Sequence, residues 1–126
     1  MTAQKFSGLV LALALLPLLV FAADAPNISG TWTASFDTQI GKQDYTYTFL
    51  VKGSQLTGRA KSANGDTEIA EGKVEGNKVS FVENLSFQGM PLRIVYSGTV
   101  TSADQIEFTR DVAGVAMEKL TAKRAK

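Results

Sequence analysis

The sequence predicts an all-β domain: eight antiparallel strands running up and down and closing into a barrel. From Ile28 onward apolar residues alternate with polar ones at period two, and they hold helical spacing over no stretch longer than about ten residues. Gly, Asn and Asp turn signals separate the alternating segments, and every connection is short enough for a hairpin. A meander of this kind buries its apolar face and removes both sheet edges by closing on itself. A two-sheet sandwich is the alternative, and it needs crossovers longer than any connection here.

The first strand alternates Ile28, Gly30, Trp32, Ala34 and Phe36 with hydroxyl residues, which sets one apolar face against one polar face. The second alternates Tyr45, Tyr47, Phe49 and Val51 with Asp44, Thr46, Thr48 and Leu50, and the third Leu56, Gly58 and Ala60 with Thr57, Arg59 and Lys61. The fourth, Thr67 to Glu75, changes phase between Ile69 and Val74, and Gly72 lies where a bulge would absorb the extra residue. Gly76-Asn77 is a two-residue hairpin that sets Val74 opposite Val79. The fifth strand carries Val79 and Phe81; the sixth Leu92, Ile94, Tyr96 and Gly98; the seventh Ile106 and Phe108. The eighth runs from Val115 to about Thr121, with Val115 and Met117 competing against Ala116 and Leu120 for the inward face.

Connections after the second, fourth and sixth strands are tight, at Gly53-Ser54, Gly76-Asn77 and Ser102-Ala103-Asp104. Those after the first, third, fifth and seventh read as longer loops: Asp37 to Gln43, Ser62 to Asp66, Asn84 to Pro91 and Asp111 to Gly114. Alternate connections of an up-and-down barrel share an end, so one mouth is predicted to be closed and the other ringed by loops. The loop end carries Ile40, Leu85, Phe87, Met90 and Val112, more apolar material than solvent-facing loops hold without a use. These side chains form a ligand entrance or partner patch, or they fold inward as a plug.

At the amino terminus Lys5 precedes fourteen apolar or small residues from Gly8 to Phe21, and small residues follow at Ala22 and Ala23. This reads as an export signal over residues 1–22, cleaved after Ala22 or Ala23, with residues 23–126 as a single domain. The run is short for a membrane anchor, which needs ~20 apolar residues. The expected address is periplasmic or extracellular, with no integral membrane segment once the signal is removed. Removing Lys5 leaves as many basic as acidic residues, so no basic face is available for nucleic acid.

The chain contains no histidine and no cysteine. That excludes histidine triads, thiol nucleophiles, Cys/His metal sites and disulfide frameworks. Carboxylates remain: Glu68, Glu71 and Glu75 on the fourth strand, Glu107 and Asp111 around the seventh. A glycosidase needs two of them facing across a cleft, and here they alternate with apolar neighbours as solvated outer-face residues do. Asn64, Asp66 and Glu68 offer oxygens at alternate positions, but Gly65 makes this an Asn-Gly-Asp turn before a calcium loop. The expectation is a protein that is not an enzyme and takes no cofactor or metal.

Gly30-Thr31-Trp32 opening the first strand, with Leu56-Thr57-Gly58 in the third, resembles the calycins, the lipocalin and avidin superfamily of small ligand-binding barrels. The resemblance implies a tryptophan closing the barrel floor under a basic side chain from the last strand, with Arg124 or else Arg110 in that place. Biotin binding is not implied, because Ala34 and Ala60 stand where avidins carry their asparagine and tyrosine. The segments Ile69 to Phe81 and Tyr96 to Val100 are similar to hairpins of short secreted lipocalin-like domains of environmental bacteria, a group without an assigned activity.

Trp32, Phe36, Tyr45, Tyr47, Phe49, Phe81, Tyr96 and Phe108 form an inward row of rings. Either they fill the core, or Gly30, Ala34, Gly58, Ala60 and Gly98 on the same rows leave a pocket. In the second case Tyr45, Tyr47 and Tyr96 supply the few polar groups such a pocket needs, and Ile40, Leu85, Phe87 and Met90 surround its entrance. Two functions follow from these alternatives. One is an exported binding module for a small apolar or amphipathic ligand; the other is a solid barrel that docks a protein partner through its apolar loops.

Overall fold

The computed structural model describes residues 27–126, so the expected signal and its cleavage site lie outside the described residues. Nine strands follow one another: β1 (Gly30–Thr38), β2 (Gly41–Lys52), β3 (Gln55–Ser62), β4 (Gly65–Glu68), β5 (Ala70–Glu75), β6 (Lys78–Phe87), β7 (Met90–Ser102), β8 (Gln105–Val112) and β9 (Ala116–Arg124). Each pairs antiparallel with its neighbours, β1 pairs β9, and β2 pairs β3, so the sheet closes. β4 and β5 both pair β3, through Arg59 opposite Glu68 and Leu56 opposite Gly72. They share one position in the ring, and the nine strands make an eight-stranded up-and-down barrel. Among the described residues no helix is long and apolar enough to cross a membrane.

The predicted fourth strand is thus broken at Ile69, whose backbone N–H still reaches the Gly58 carbonyl at 2.9 Å. The phase change has the predicted cause. Ala70 faces Val82 and Lys73 faces Ser80, one more residue on β5 than on β6. Glu71 takes the left-handed turn (φ 53°), while Gly72 is needed for space: a Cβ there would lie 2.1 Å from the Leu56 carbonyl oxygen.

The loop-ringed mouth is corrected. Two-residue turns at Gln39-Ile40, Ala63-Asn64 and Gln88-Gly89 and a three-residue turn from Ala113 to Val115 join the strands around that end in place of long loops. The strands simply run on through residues that read as loops, with Asp37 paired to Lys42, Leu85 to Leu92 and Phe87 to Met90. The alternation continues there, with Leu85 and Phe87 half-buried and Asn84 and Ser86 exposed, and the Asn, Ser, Gly and Pro among them are the residues that read as loop. Pro91 is accommodated as the second residue of β7, near a strand start. In β9 the inward face belongs to Ala116, Leu120 and Ala122, and Val115 and Met117 are exposed.

The floor of the barrel has the geometry that the resemblance implied. Trp32 is fully buried at the end closed by the Gly53-Ser54, Gly76-Asn77 and Ala103-Asp104 turns, and its indole N–H donates to the Ile28 carbonyl. Arg124, not Arg110, stacks over the ring at 4.5 Å and donates to the carbonyls of Asn27, Ser29 and Ala103. Above it Phe49, Tyr47, Phe81, Tyr96 and Phe108 pack ring on ring, with Phe81 and Tyr96 stacked at 4.2 Å. Burying such a side chain contributes roughly 1.5–3 kcal/mol.

At Gly58 and Gly98 the glycine rows leave no pocket, which is the filled-core alternative. A Cβ at Gly58 would fall 1.8 Å from the Thr48 carbonyl oxygen, and one at Gly98 would fall 2.4 Å from the Phe108 ring. The missing side chains let backbone and ring move in.

Candidate functional site

Toward the open end the inward rows change from apolar to charged. Glu83 follows Phe81 by two residues on β6, Arg110 follows Phe108 by two on β8, and Glu118 precedes Leu120 by two on β9. Period two turns all three into the barrel. Glu83 is completely buried, Arg110 is 4% exposed, and the Glu118 side chain is 9% exposed. Charges so placed persist only when paired and hydrogen-bonded.

They are. Each oxygen of the Glu83 carboxylate accepts from one tyrosine at 2.8 Å, Oε2 from Tyr45 and Oε1 from Tyr96. Arg110 donates from Nε to the Tyr96 hydroxyl and from Nη2 to the Tyr45 hydroxyl, both at 2.9 Å. Its Nη1 donates to Glu118 Oε1, and Nη2 lies 3.5 Å from Glu83 Oε1. Tyr96 spends its only proton on Glu83, so Tyr47 is the donor in the 2.9 Å bond between their hydroxyls. The guanidinium also lies 5.2–5.5 Å from the ring centres of Phe36, Tyr45 and Tyr96.

Protonation follows from this enclosure. Burial, reinforced by the Glu83 charge, raises the Tyr45 hydroxyl to about 12. Burial likewise holds Tyr47 and Tyr96 well above the usual tyrosine range. For Arg110 burial acts against the charge, but Tyr96, Tyr45 and Glu83 outweigh it and hold the guanidinium above its ordinary value. At neutral pH the three tyrosines and Arg110 therefore keep their protons.

Above it opens a cavity of about 210 Å³. Ile40, Leu85, Phe87, Ile94, Val112 and Val115 supply apolar wall, while Arg110 and Glu118 supply charge to its lining. Of the residues singled out in the sequence, Ile40, Leu85 and Phe87 are brought together around this space. Met90 stays outside the lining and is 65% exposed. Tyr45, Tyr47 and Tyr96 lie in the hydrogen-bonded layer beneath instead of facing the cavity.

The charged trio was missed, although the signal was present: extending the apolar rows of three strands by one step reaches Glu83, Arg110 and Glu118. The carboxylates that had drawn notice lie elsewhere. Glu71 pairs with Arg93 at 2.7 Å, Glu107 accepts from Thr121 and Gln105, and Asp66 pairs with Arg59, all on the exposed surface. Asn64 donates to Gln43 at the mouth, which fits the turn reading of that segment.

No family model and no curated protein sequence matches the chain. Solved structures do. A redesigned β-barrel matches with a TM-score of 0.58 at 13% identity, over 79% of this chain and 92% of its own. The redesigned β-barrel mFAP1 bound to DFHBI matches with a TM-score of 0.54 at 12% identity, over 78% of this chain and 94% of its own. A third structure, also bound to DFHBI, gives a TM-score of 0.51 at 13% identity. At these identities the likeness concerns the fold.

Proposed function

We propose that the protein is an exported, lipocalin-like binding module that takes one small apolar or amphipathic molecule into its mouth cavity and carries out no reaction on it. The observation that carries this reading is the cavity itself, apolar at the walls and polar at one end, the usual composition of a small-molecule site. Its volume suits one or two rings rather than a long chain, since a dry cavity of roughly 150 Å³ takes benzene. Two structures of similar fold are bound to DFHBI, which supports a ligand-binding use of this barrel. The Trp32 and Arg124 floor supports the lipocalin-like kinship, and Lys5 with the Gly8 to Phe21 run supports export. Binding without catalysis fits a layer whose tyrosines and arginine are all held away from neutral titration.

Isothermal calorimetry with 2-phenylethanol, a neutral single-ring probe, tests the proposal. Saturable one-to-one binding is the expected result, and absence of heat at millimolar probe would contradict it. The second reading, a partner docked at the same end, is favoured by the exposure of Ile40, Met90, Val115 and Met117 there. That patch would give concentration-dependent self-association or partner capture unaffected by the probe.

A further inference from the structure

Resting on the binding proposal, we infer that the cavity selects ligands whose polar end is a cation, an aryl-alkyl ammonium above all, and disfavours carboxylates. The floor has two buried carboxylates, Glu83 and Glu118, against one guanidinium, so it retains a net negative charge. Arg110 is the positive residue in the lining, and three of its five N–H groups already donate, to Tyr96, Tyr45 and Glu118, while Nη2 also lies 3.5 Å from Glu83. An incoming anion would meet the two carboxylates beside the N–H groups that remain.

Glu118 is in the opposite situation. Its Oε1 takes the Arg110 bond, while Oε2 accepts no hydrogen bond from the described residues, although the side chain is nine-tenths buried and lines the cavity. A carboxylate oxygen without a protein partner at the wall of an apolar cavity is a strong acceptor for N⁺–H. The polar residues higher in the lining do not alter the balance, because Gln39, Gln43, Asn64 and Ser86 are neutral. A ligand ammonium would meet Oε2 with its apolar body against Leu85, Phe87 and Val112. A carboxylate in the same pose would meet like charge at low effective dielectric.

The test uses three single-ring probes on the protein at neutral pH and low salt: 2-phenylethylammonium, 2-phenylethanol and 3-phenylpropanoate. Calorimetry is expected to place the ammonium at least about tenfold tighter than the propanoate, a difference of about 1.4 kcal/mol. Glu118→Gln is expected to bring that ratio within about threefold. Equal or tighter binding of the propanoate, or a preference that survives Glu118→Gln, would overturn the inference. Should the variant not unfold cooperatively, the wild-type Glu118 carboxyl ¹³C resonance decides: the ammonium must shift it more than the alcohol does, and equal shifts would overturn the selection. If 2-phenylethanol binds without any charge preference, the selection alone fails and the cavity proposal stands. If none of the three binds, both are overturned.

Discussion

Replacing Arg110 by methionine probes the energetics of the charged layer directly. The guanidinium is 4% exposed and donates three hydrogen bonds, to Tyr96, Tyr45 and Glu118. Methionine fills most of its volume but leaves the fully buried Glu83 with two tyrosine donors and no counter-charge. Breaking a buried ion pair from one side costs about 3–5 kcal/mol, because the remaining charge stays desolvated. A domain of this size loses roughly 4–8 °C in melting temperature per kcal/mol, so a fall on the order of 15–30 °C is expected. Urea unfolding followed by the fluorescence of Trp32, the single tryptophan, gives the free energy. Adding Glu83→Gln to Arg110→Met removes the more deeply buried of the two stranded charges, Glu118 keeping the other, and should recover at least half of the loss. A single variant within about 1 kcal/mol of wild type, or a double variant no better than the single, would refute the account of the layer.

Three further outcomes follow from the packing. Trp32→Ala should cost about 3–5 kcal/mol by urea unfolding, monitored by circular dichroism, since nothing else fills the floor beneath Arg124. Alkaline titration should show no tyrosine ionising near pH 10 in the folded protein, because Tyr45 keeps its proton to about 12 and Tyr47 and Tyr96 lie well above their usual value. The folded state then holds more protons than the unfolded chain, so this contribution is complete below about pH 10 and is lost as pH rises, Tyr45 alone removing about 3 kcal/mol by pH 12. Ultraviolet difference absorbance checks it, and a tyrosinate step preceding unfolding would contradict it. Phe87→Ser, at the half-buried cavity wall, should weaken 2-phenylethanol binding at least about threefold while stability changes by about 1 kcal/mol or less; marked destabilisation would make Phe87 a core residue instead.

The barrel was legible because its strands obey period two against water on one side and core on the other. The calycin resemblance offered Arg124 or Arg110 as the partner of Trp32, and the pairing of the first and last strands places Arg124 there. The mouth was less legible. Asp37, Ser86 and Pro91 look like loop residues, yet backbone pairing with a neighbouring strand, which composition does not record, carries β1, β6 and β7 past the core. The glycines misled for a related reason: Gly58 and Gly98 read as empty space, whereas neighbouring strands and rings set what enters that space. Glu83, Arg110 and Glu118 were hidden by chemistry. Each extends an inward row, but a charged residue seen alone is assigned to the surface, and only registers across β2, β6, β7, β8 and β9 show that the charges meet one another and the hydroxyls of Tyr45 and Tyr96.

The central claim is that the space above this layer receives a small molecule. Intermolecular nuclear Overhauser effects between 2-phenylethanol and the methyl-labelled protein test it most directly. The account predicts contacts from the probe ring to the methyl groups of Leu85, Ile94 and Val112, which line the cavity. Contacts confined to the exposed Met90 and Met117 methyls, or none at saturating probe, would contradict it.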